Sequence, residues 1–534
     1  MQLYPKTIER KLGFDRIKAM LEEACNSELG KKQVANITIL NDFAAIDRLL
    51  AVTDEMRKQI QSGDAFPELQ AFDLAQELKK SQVQGYYMTA ESLFQLKQNL
   101  QLTLALTKYF DKHQTDYPIW GSKSKQLTIP KKLLDRLEVD FDKKGAIRDA
   151  ASSALKKIRQ DIKSKEYKAR KELNSILKLA VEKGYTDHES GLTIRDGRLV
   201  VPIQAEYKRR IQGLVVDEST TGKTVYLEPM QVFEFNNEIR ELYFAENREI
   251  IAILTALTLQ VAAAQEGLLG IDQYLGAVDF TRAKAKLAVN LGCCKPEISN
   301  YGSLKLVDAV HPILLISNRK LGIPVVPLNV EINDDQRIIV ISGPNAGGKS
   351  VAIKTVGLLQ LMFQAGMLVP VEESSSMGIF KEIFIDIGDE QSIENDLSTY
   401  SSHLENMKYL LTHCSDSTIF LIDEFGTGTE PQFGGAIAES ILGQLLDSKA
   451  RGLVTTHYGN LKKFAEENSS VINAAMRFDL NRLVPQYQLE LGHPGSSFAL
   501  EIAGKIGLPE GVIAEAKSKI GRDQVSFERL VSQL

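Results

Sequence analysis

Through the first quarter of the chain apolar residues recur three and four positions apart, as in Phe43-Ala-Ala-Ile-Asp-Arg-Leu-Leu and Leu93-Phe-Gln-Leu-Lys-Gln-Asn-Leu. That spacing predicts helix after helix to about residue 125, with breaks where Gly and Pro gather, at Gly63 to Pro67 and Tyr117-Pro118. From Lys143 to Lys183 the pattern tightens. Ile147, Ala151, Ala154, Ile158, Ile162, Ala169, Leu173, Ile176 and Ala180 follow steps of four, three and seven, the seam of a coiled coil. Such a helix would be about 60 Å long at 1.5 Å per residue. A second helix, about Val232 to Ala264, offers Ile239, Leu242, Ile250, Ile253, Leu257 and Val261 as its partner. Two long helices buried in a globular domain would give the same periods. The first helix is polar over most of its circumference, which favours an antiparallel arm.

Between these helices the period changes from helix to strand. Leu192-Thr-Ile-Arg, Asp196-Gly197 and Arg198-Leu-Val-Val read as a tight hairpin, since Asp-Gly supplies the positive φ angles that such a turn needs. Gly213 to Asp217 and Thr224 to Leu227 predict two more strands, joined through Thr220-Thr221-Gly222. A small β module at the tip of a helical arm is the simplest arrangement. After Phe280 the pattern is mixed α/β to about Leu491, and short helices are expected around Ser497 to Ile506 and Pro509 to Ile520.

The chemistry gathers in the last third. Gly343, Pro344, Asn345, Ala346, Gly347, Gly348, Lys349 and Ser350 fit GxxxxGK[ST], between the apolar strand Ile338-Ile-Val-Ile341 and a helical pattern from Val351. Glycines let backbone N–H groups turn inward around phosphates, and the following helix N-terminus adds positive potential. Lys349 would reach the β- and γ-phosphates of ATP, and the Ser350 hydroxyl would ligate Mg²⁺. A second apolar strand, Ile419-Phe-Leu-Ile422, ends in Asp423-Glu424, seventy-four residues after Lys349. Asp423 is placed to hold Mg²⁺, and Glu424 is the candidate general base for the attacking water. A third strand, Gly452-Leu-Val-Thr-Thr456, ends in His457, which resembles the switch histidine that contacts the γ-phosphate in ABC ATPases.

Composition adds limits. A chain of 534 residues exceeds what one core serves and implies several domains. Net charge is only −5, but Lys143 to Lys183 holds 13 basic and 5 acidic residues, an asymmetry that suggests a polyanion at the arm. Arg195, Arg198, Lys208, Arg209, Arg210 and Lys223 extend the basic candidates into the β module. Few aromatics interleave with these charges, so backbone and shape recognition are expected over base stacking. Cys25, Cys293, Cys294 and Cys414 match neither a metal-ligand spacing nor a disulfide framework. The N-terminus has no apolar signal core, and Ile250 to Ala264, the most apolar run, is too short to span a bilayer. A soluble cytoplasmic protein without a membrane partner is expected.

Gly343-Pro-Asn-Ala-Gly-Gly-Lys-Ser, Leu397-Ser-Thr-Tyr400, Asp423-Glu-Phe-Gly-Thr-Gly-Thr429 and Thr455-Thr-His-Tyr458 resemble, in order and spacing, the MutS family. The resemblance covers nearly the whole chain, most specifically residues 300 to 515, and points to the second, non-mismatch-repair bacterial type. It implies a multidomain α and α/β fold: a helical core (1–125), an ascending arm helix (126–186), a β clamp (187–231), a descending helix with further core (232–290), an ABC-type P-loop ATPase domain with C-terminal helices (291–515) and a tail (516–534). It further implies a homodimer with composite ATP sites, in which Ser398 and Thr399 of one subunit contact the γ-phosphate held by the other. Two features depart from the family. No mismatch-recognition domain is present, and Phe66-Pro67-Glu68, though similar to its Phe-x-Glu wedge, is short enough to arise by chance in a helical region. The chain also ends at Leu534 without an HGxG-like segment, so either a shortened chain or a variant lacking the C-terminal Smr nuclease domain is expected, and nuclease activity is not carried over.

The family's roles leave two ligands open: branched or recombining DNA, with limitation of recombination, or rRNA in stalled or collided ribosomes. Other classes fit less well. A transporter ATPase would carry an LSGGQ-like segment where Leu397-Ser-Thr-Tyr stands, and an SMC-type ATPase would place its coiled coil between the two nucleotide motifs.

Overall fold

The computed structural model describes residues 1–299, 302–344, 347–388, 399–479, 482, 484–496 and 498–519. The chain divides into two compact units. One comprises Met1–Leu69, Tyr109–Ser124 and Gly276–Leu534, the other Gln70–Lys108 and Lys125–Leu275.

The first unit is built on a seven-stranded sheet in the order Gln2–Tyr4, Glu382–Asp386, Thr418–Ile422, Arg451–Thr455, Ile338–Ser342, Val471–Asp479 and Val484–Leu491. All neighbours pair in parallel except the last two strands. Thr418–Ile422, Arg451–Thr455 and Ile338–Ser342 are buried at every position. Burial at successive positions, on both sides of each strand, is what a parallel sheet covered on both faces produces. One face is covered by the helix Lys349–Gln364, itself almost wholly buried. The helices Thr399–His413 and Pro431–Asp447 contribute to the core on the other face.

The N-terminus corrects the expected layout. Residues 1–69 do not form a separate helical core but belong to the sheet unit, and Gln2–Tyr4 is an edge strand rather than helix. Three residues are too few to show any period. Tyr4 stacks on Tyr409 with ring centroids 3.8 Å apart and anchors this edge. Phe66 packs edge-on against Tyr109 and Phe110 with the Arg282 guanidinium over its ring, a role in packing.

In the second unit the helix Ser153–Glu182 runs antiparallel to Met230–Ala263. Ser152 bonds Glu249, Arg159 bonds Glu246 and Lys165 pairs with Glu238, so partners descend as positions ascend. The first helix starts later than its heptad pattern predicts. Phe141 and Ile147 form an isolated bridge around a turn at Gly145, a 3₁₀ turn covers Asp149–Ala151, and only then does Ser152 cap the helix by accepting from the Leu155 N–H. Its length is therefore about 45 Å for 30 residues at 1.5 Å each. That restart brings Leu155 into the buried seam in place of the exposed Ala154. The four-stranded sheet between the helices has the order Thr193–Arg195, Arg198–Gln204, Thr224–Pro229, Gly213–Glu218. The hairpin forms as read: Arg195 pairs with Arg198, and Asp196 and Gly197 take φ of 47° and 72°. This sheet packs on Ala169, Leu173 and Ala180 of one helix and Val232 and Ile239 of the other.

Candidate functional site

Sheet register assembles the site. Ile422 lies beside Val454, and Thr455 beside Ile341, so three strands end level with one another. The loop from Gly343, the pair Asp423-Glu424 and the segment to His457 leave from these ends, the edge where parallel sheets present ligand sites. The histidine-bearing strand lies between the other two, which puts the acidic pair roughly 10 Å from the loop at about 4.8 Å per strand step.

Gly343 and Gly348 have φ of 136° and 96°, values that side chains rarely adopt, and they fold the loop back onto the start of the helix Lys349–Gln364. Lys349 is 4% exposed and its Nζ donates to the carbonyls of Gly343 (2.7 Å) and Pro344 (3.0 Å). Burial pushes its pKa down to about 8, against the opposing pull of Asp423 and Glu424. A buried ammonium whose hydrogen bonds, among the described residues, go to neutral carbonyls fits an arriving phosphate, which would bring an anionic acceptor into direct contact with it.

Glu424 is exposed and has φ of 52°, an uncommon conformation for a non-glycine residue that costs of order 1–3 kcal/mol. Its N–H donates to Thr455 Oγ1 (2.7 Å), and the same hydroxyl donates to Asp423 Oδ1 (2.5 Å). Behind the pair, the Asp386 carbonyl accepts from the Asp423 N–H (2.9 Å). The buried Asp386 carboxylate bonds His403 Nδ1 (2.7 Å) and Asn406 Nδ2 (3.0 Å), and Tyr4 donates to Asn406 Oδ1 (2.7 Å). His457 shows one side to solvent. Partial burial, and then the charges of Lys349 and Lys462, lower its pKa, so the ring is neutral at pH 7.

Beside Gly348 lies a cavity of about 330 Å³, walled by His311, Ile323, Val325, Val326, Val351 and Tyr487. Its size falls within the ~300–1,000 Å³ typical of small-molecule sites. The Tyr487 ring lies so close to Gly348 that a Cβ there would stand 3.2 Å from it. His311 Nδ1 accepts from the Leu314 N–H (3.3 Å), and burial, helped by Lys354 and Arg16, lowers its pKa to about 4. It is neutral, with its proton on Nε2.

Of the candidates named from sequence, Gly343, Pro344, Gly347, Gly348, Lys349, Ser350, Asp423, Glu424 and His457 are brought to one edge of the sheet. Asn345, Ala346 and Ser398 lie outside the described residues, and of Thr399 only its place as first residue of the helix Thr399–His413 is described. Asp386, His403, Asn406 and Tyr487 do not stand out in the sequence, and Thr455 enters there only as part of the run Thr455-Thr-His-Tyr458. Asp386 carried one signal, since it ends the apolar run Ile383-Phe-Ile just as Asp423 ends its own.

The six basic residues of the small sheet divide. Arg198 Nη1 pairs with the buried Glu228 (2.5 Å), and Arg195 pairs with Asp217 (3.4 Å) while stacking over Tyr226. Lys208, Arg209, Arg210 and Lys223 are exposed, and the Ala205 N–H bond to the Lys223 carbonyl (2.9 Å) brings the two segments together.

Comparison with known proteins decides the family. Residues 339–522 match MutS domain V. The chain is 37% identical over 98% of its length to "Endonuclease MutS2" of Caldanaerobacter subterraneus subsp. tengcongensis, and 36% identical over 98% to the protein of that name from Enterococcus faecalis. It belongs to the MutS family. The chain spans about 65% of the Caldanaerobacter relative and 66% of the Enterococcus one. The loop, acidic pair and histidine of this MutS-family chain all fall inside the matched domain. Among the described residues no single helix is long and apolar enough to cross a membrane.

Proposed function

We propose that this MutS-family chain hydrolyses ATP at the edge formed by Gly343–Ser350, Asp423, Glu424 and His457, and uses the cycle to work a nucleic-acid clamp on branched or recombining DNA, limiting recombination. The observation that carries the reading is the buried Lys349, hydrogen-bonded to backbone carbonyls at the level where the acidic pair and His457 emerge.

Each residue has a role that its setting supports. Lys349 exchanges its two carbonyl acceptors for phosphate oxygens. Backbone N–H groups of the loop and the helix N-terminus after it hold the remaining phosphate charge. The adenine enters the cavity beside Gly348 and lies against Tyr487. Ser350 and Asp423 would hold Mg²⁺, which when bound neutralises charge on the phosphates. Glu424, exposed at the strand end, takes the proton of the attacking water. His457, neutral, donates an N–H to the γ-phosphate. In a homodimer, Ser398 and Thr399 of a second copy complete each site, and closure across them repositions the long helices.

The test is competition for Glu424→Gln protein held with ATP, offered branched DNA, linear duplex and ribosomes at near-physiological salt, because low salt lets every polyanion bind. Selective capture of branched DNA is expected. Selective capture of ribosomes would replace the DNA reading with a role in separating stalled ribosomes and leave the ATPase intact.

A further inference from the structure

We propose that Thr455 is a positioning residue for hydrolysis: through one hydroxyl it fixes both the carboxylate of Asp423 and the backbone of Glu424. The inference rests on the hydrolytic reading given above.

Thr455 is the last residue of the strand Arg451–Thr455, is fully buried, and lies beside Ile341 of the strand that enters the phosphate loop. It ties down three consecutive residues of the neighbouring strand end. Its Oγ1 donates to Asp423 Oδ1 (2.5 Å) and accepts from the Glu424 N–H (2.7 Å), and its carbonyl accepts from the Phe425 N–H (2.8 Å). The direction of the hydroxyl bonds is forced. A threonine hydroxyl has one proton, an ionised carboxylate can only accept it, and a backbone N–H can only donate.

Two consequences follow for the acidic pair. One oxygen of Asp423 is committed to Thr455, which fixes the plane of the carboxylate and leaves the other oxygen for a cation. Glu424 is held at its positive φ by the bond to its own N–H, so its Cα–Cβ bond leaves the strand end in a fixed direction, which narrows the positions that the exposed carboxylate can reach. Thr456 serves a different purpose. Its Oγ1 accepts from the Tyr458 N–H (3.1 Å) and donates to the Phe425 carbonyl (3.4 Å), so it ties the loop that carries His457 to the residue after the acidic pair. Of the two adjacent threonines, Thr455 is the one whose hydroxyl bonds the acidic pair itself.

The experiment compares Thr455→Val, which keeps the shape and β-branch but removes the hydroxyl, with Thr455→Ser, which keeps the hydroxyl. ATP binding is measured with and without Mg²⁺, together with kcat, KM, the Mg²⁺ concentration for half-maximal rate, and thermal melting. For Thr455→Val, Mg²⁺-free ATP binding and melting are expected close to the parent. Its kcat is expected to fall about 10–100-fold, the usual effect of removing a group that orients a metal ligand. Half-saturation by Mg²⁺ should rise, Mg²⁺ should tighten ATP binding less than in the parent, and Thr455→Ser should recover most of the loss. A Thr455→Val protein that turns over and titrates with Mg²⁺ as the parent does would overturn the inference. So would equal losses in both variants accompanied by lowered melting, which would make Thr455 a structural strand end. A parent that neither binds nor hydrolyses ATP would remove the hydrolytic reading and this inference together. An active parent with an indifferent Thr455→Val removes the inference alone.

Discussion

Lys349 carries a proton-linked consequence. Burial lowers its pKa to about 8 in the free protein, and a phosphate beside it must raise that value. Below pH 8 the lysine is already charged, and ATP affinity should not change with pH. Above pH 8 binding has to take up a proton, and affinity should fall by up to about tenfold per pH unit until the pKa of the bound state is passed. Equilibrium binding to Glu424→Gln protein from pH 7 to 9.5 checks this, and constant affinity across that range would place Lys349 away from the phosphates. Lys349→Ala should lose ATP binding altogether. Tyr487 acts at the other end of the nucleotide. Its contact is the same in the ground and transition states, so Tyr487→Ala should raise KM for ATP about tenfold and leave kcat unchanged. Steady-state kinetics separate the two parameters, and a fall in kcat alone would move Tyr487 out of the base site. Tyr487 could not be read from the sequence because nothing local marks it: it stands far along the chain from the loop and meets Gly348 only through the sheet order. Lys349 was legible for the opposite reason, since its loop, strand and helix are contiguous.

Among the elements, what could be read was local and what was missed depends on distant pairing. The Asp196-Gly197 hairpin was readable because its two positive φ angles are demanded by the turn itself. The start of the long helix was misread because Ile147 and Ala151 continue the heptad period although their backbone is a bridge and a 3₁₀ turn. Periodicity records which positions are apolar, not whether hydrogen bonds run without interruption. Arg198 shows the same limit. As an arginine near other cations it reads as a nucleic-acid contact, yet it neutralises Glu228, which is 1% exposed and also accepts from Asn236 Nδ2 (2.8 Å). Arg198→Ala would leave a buried carboxylate unpaired and should destabilise the small sheet by about 3–5 kcal/mol. The double change Arg198→Met with Glu228→Leu should recover most of that loss. Hydrogen exchange in the strands Arg198–Gln204 and Thr224–Pro229 reads the effect locally, and parent-like protection in the single variant would show that the pair is dispensable.

Across the whole molecule the question is where a polyanion meets the chain, and charge placement gives a definite expectation. On the helix Ser153–Glu182 the exposed cations are Lys156, Lys157, Lys163, Lys168, Arg170, Lys171 and Lys178. At 100° per residue they fall within an arc of about 160° that includes one carboxylate, Glu182, and is centred roughly opposite the seam of Leu155, Ile162, Ala169, Leu173 and Ala180. The face turned away from the partner helix is therefore the basic one. Lys208, Arg209, Arg210 and Lys223 add a second cluster on the small sheet, free of the ion pairs that occupy Arg195 and Arg198. If both clusters touch phosphates, the slope of log affinity against log salt measures how many contacts each supplies, at about −0.9 per neutralised phosphate. Replacing Lys208, Arg209, Arg210 and Lys223 by Gln should make the slope shallower by up to about 4, and replacing Lys163, Lys168 and Lys171 by Gln should make it shallower by up to about 3. Glu424→Gln protein held with ATP, titrated with duplex and branched DNA at four salt concentrations, supplies both slopes. Because backbone contacts carry no sequence information, the losses should be alike for unrelated sequences of one shape and should differ between shapes. A slope that changes only with the helix substitutions would leave the small sheet a structural cap for the long helices and move the nucleic-acid face onto the helix alone.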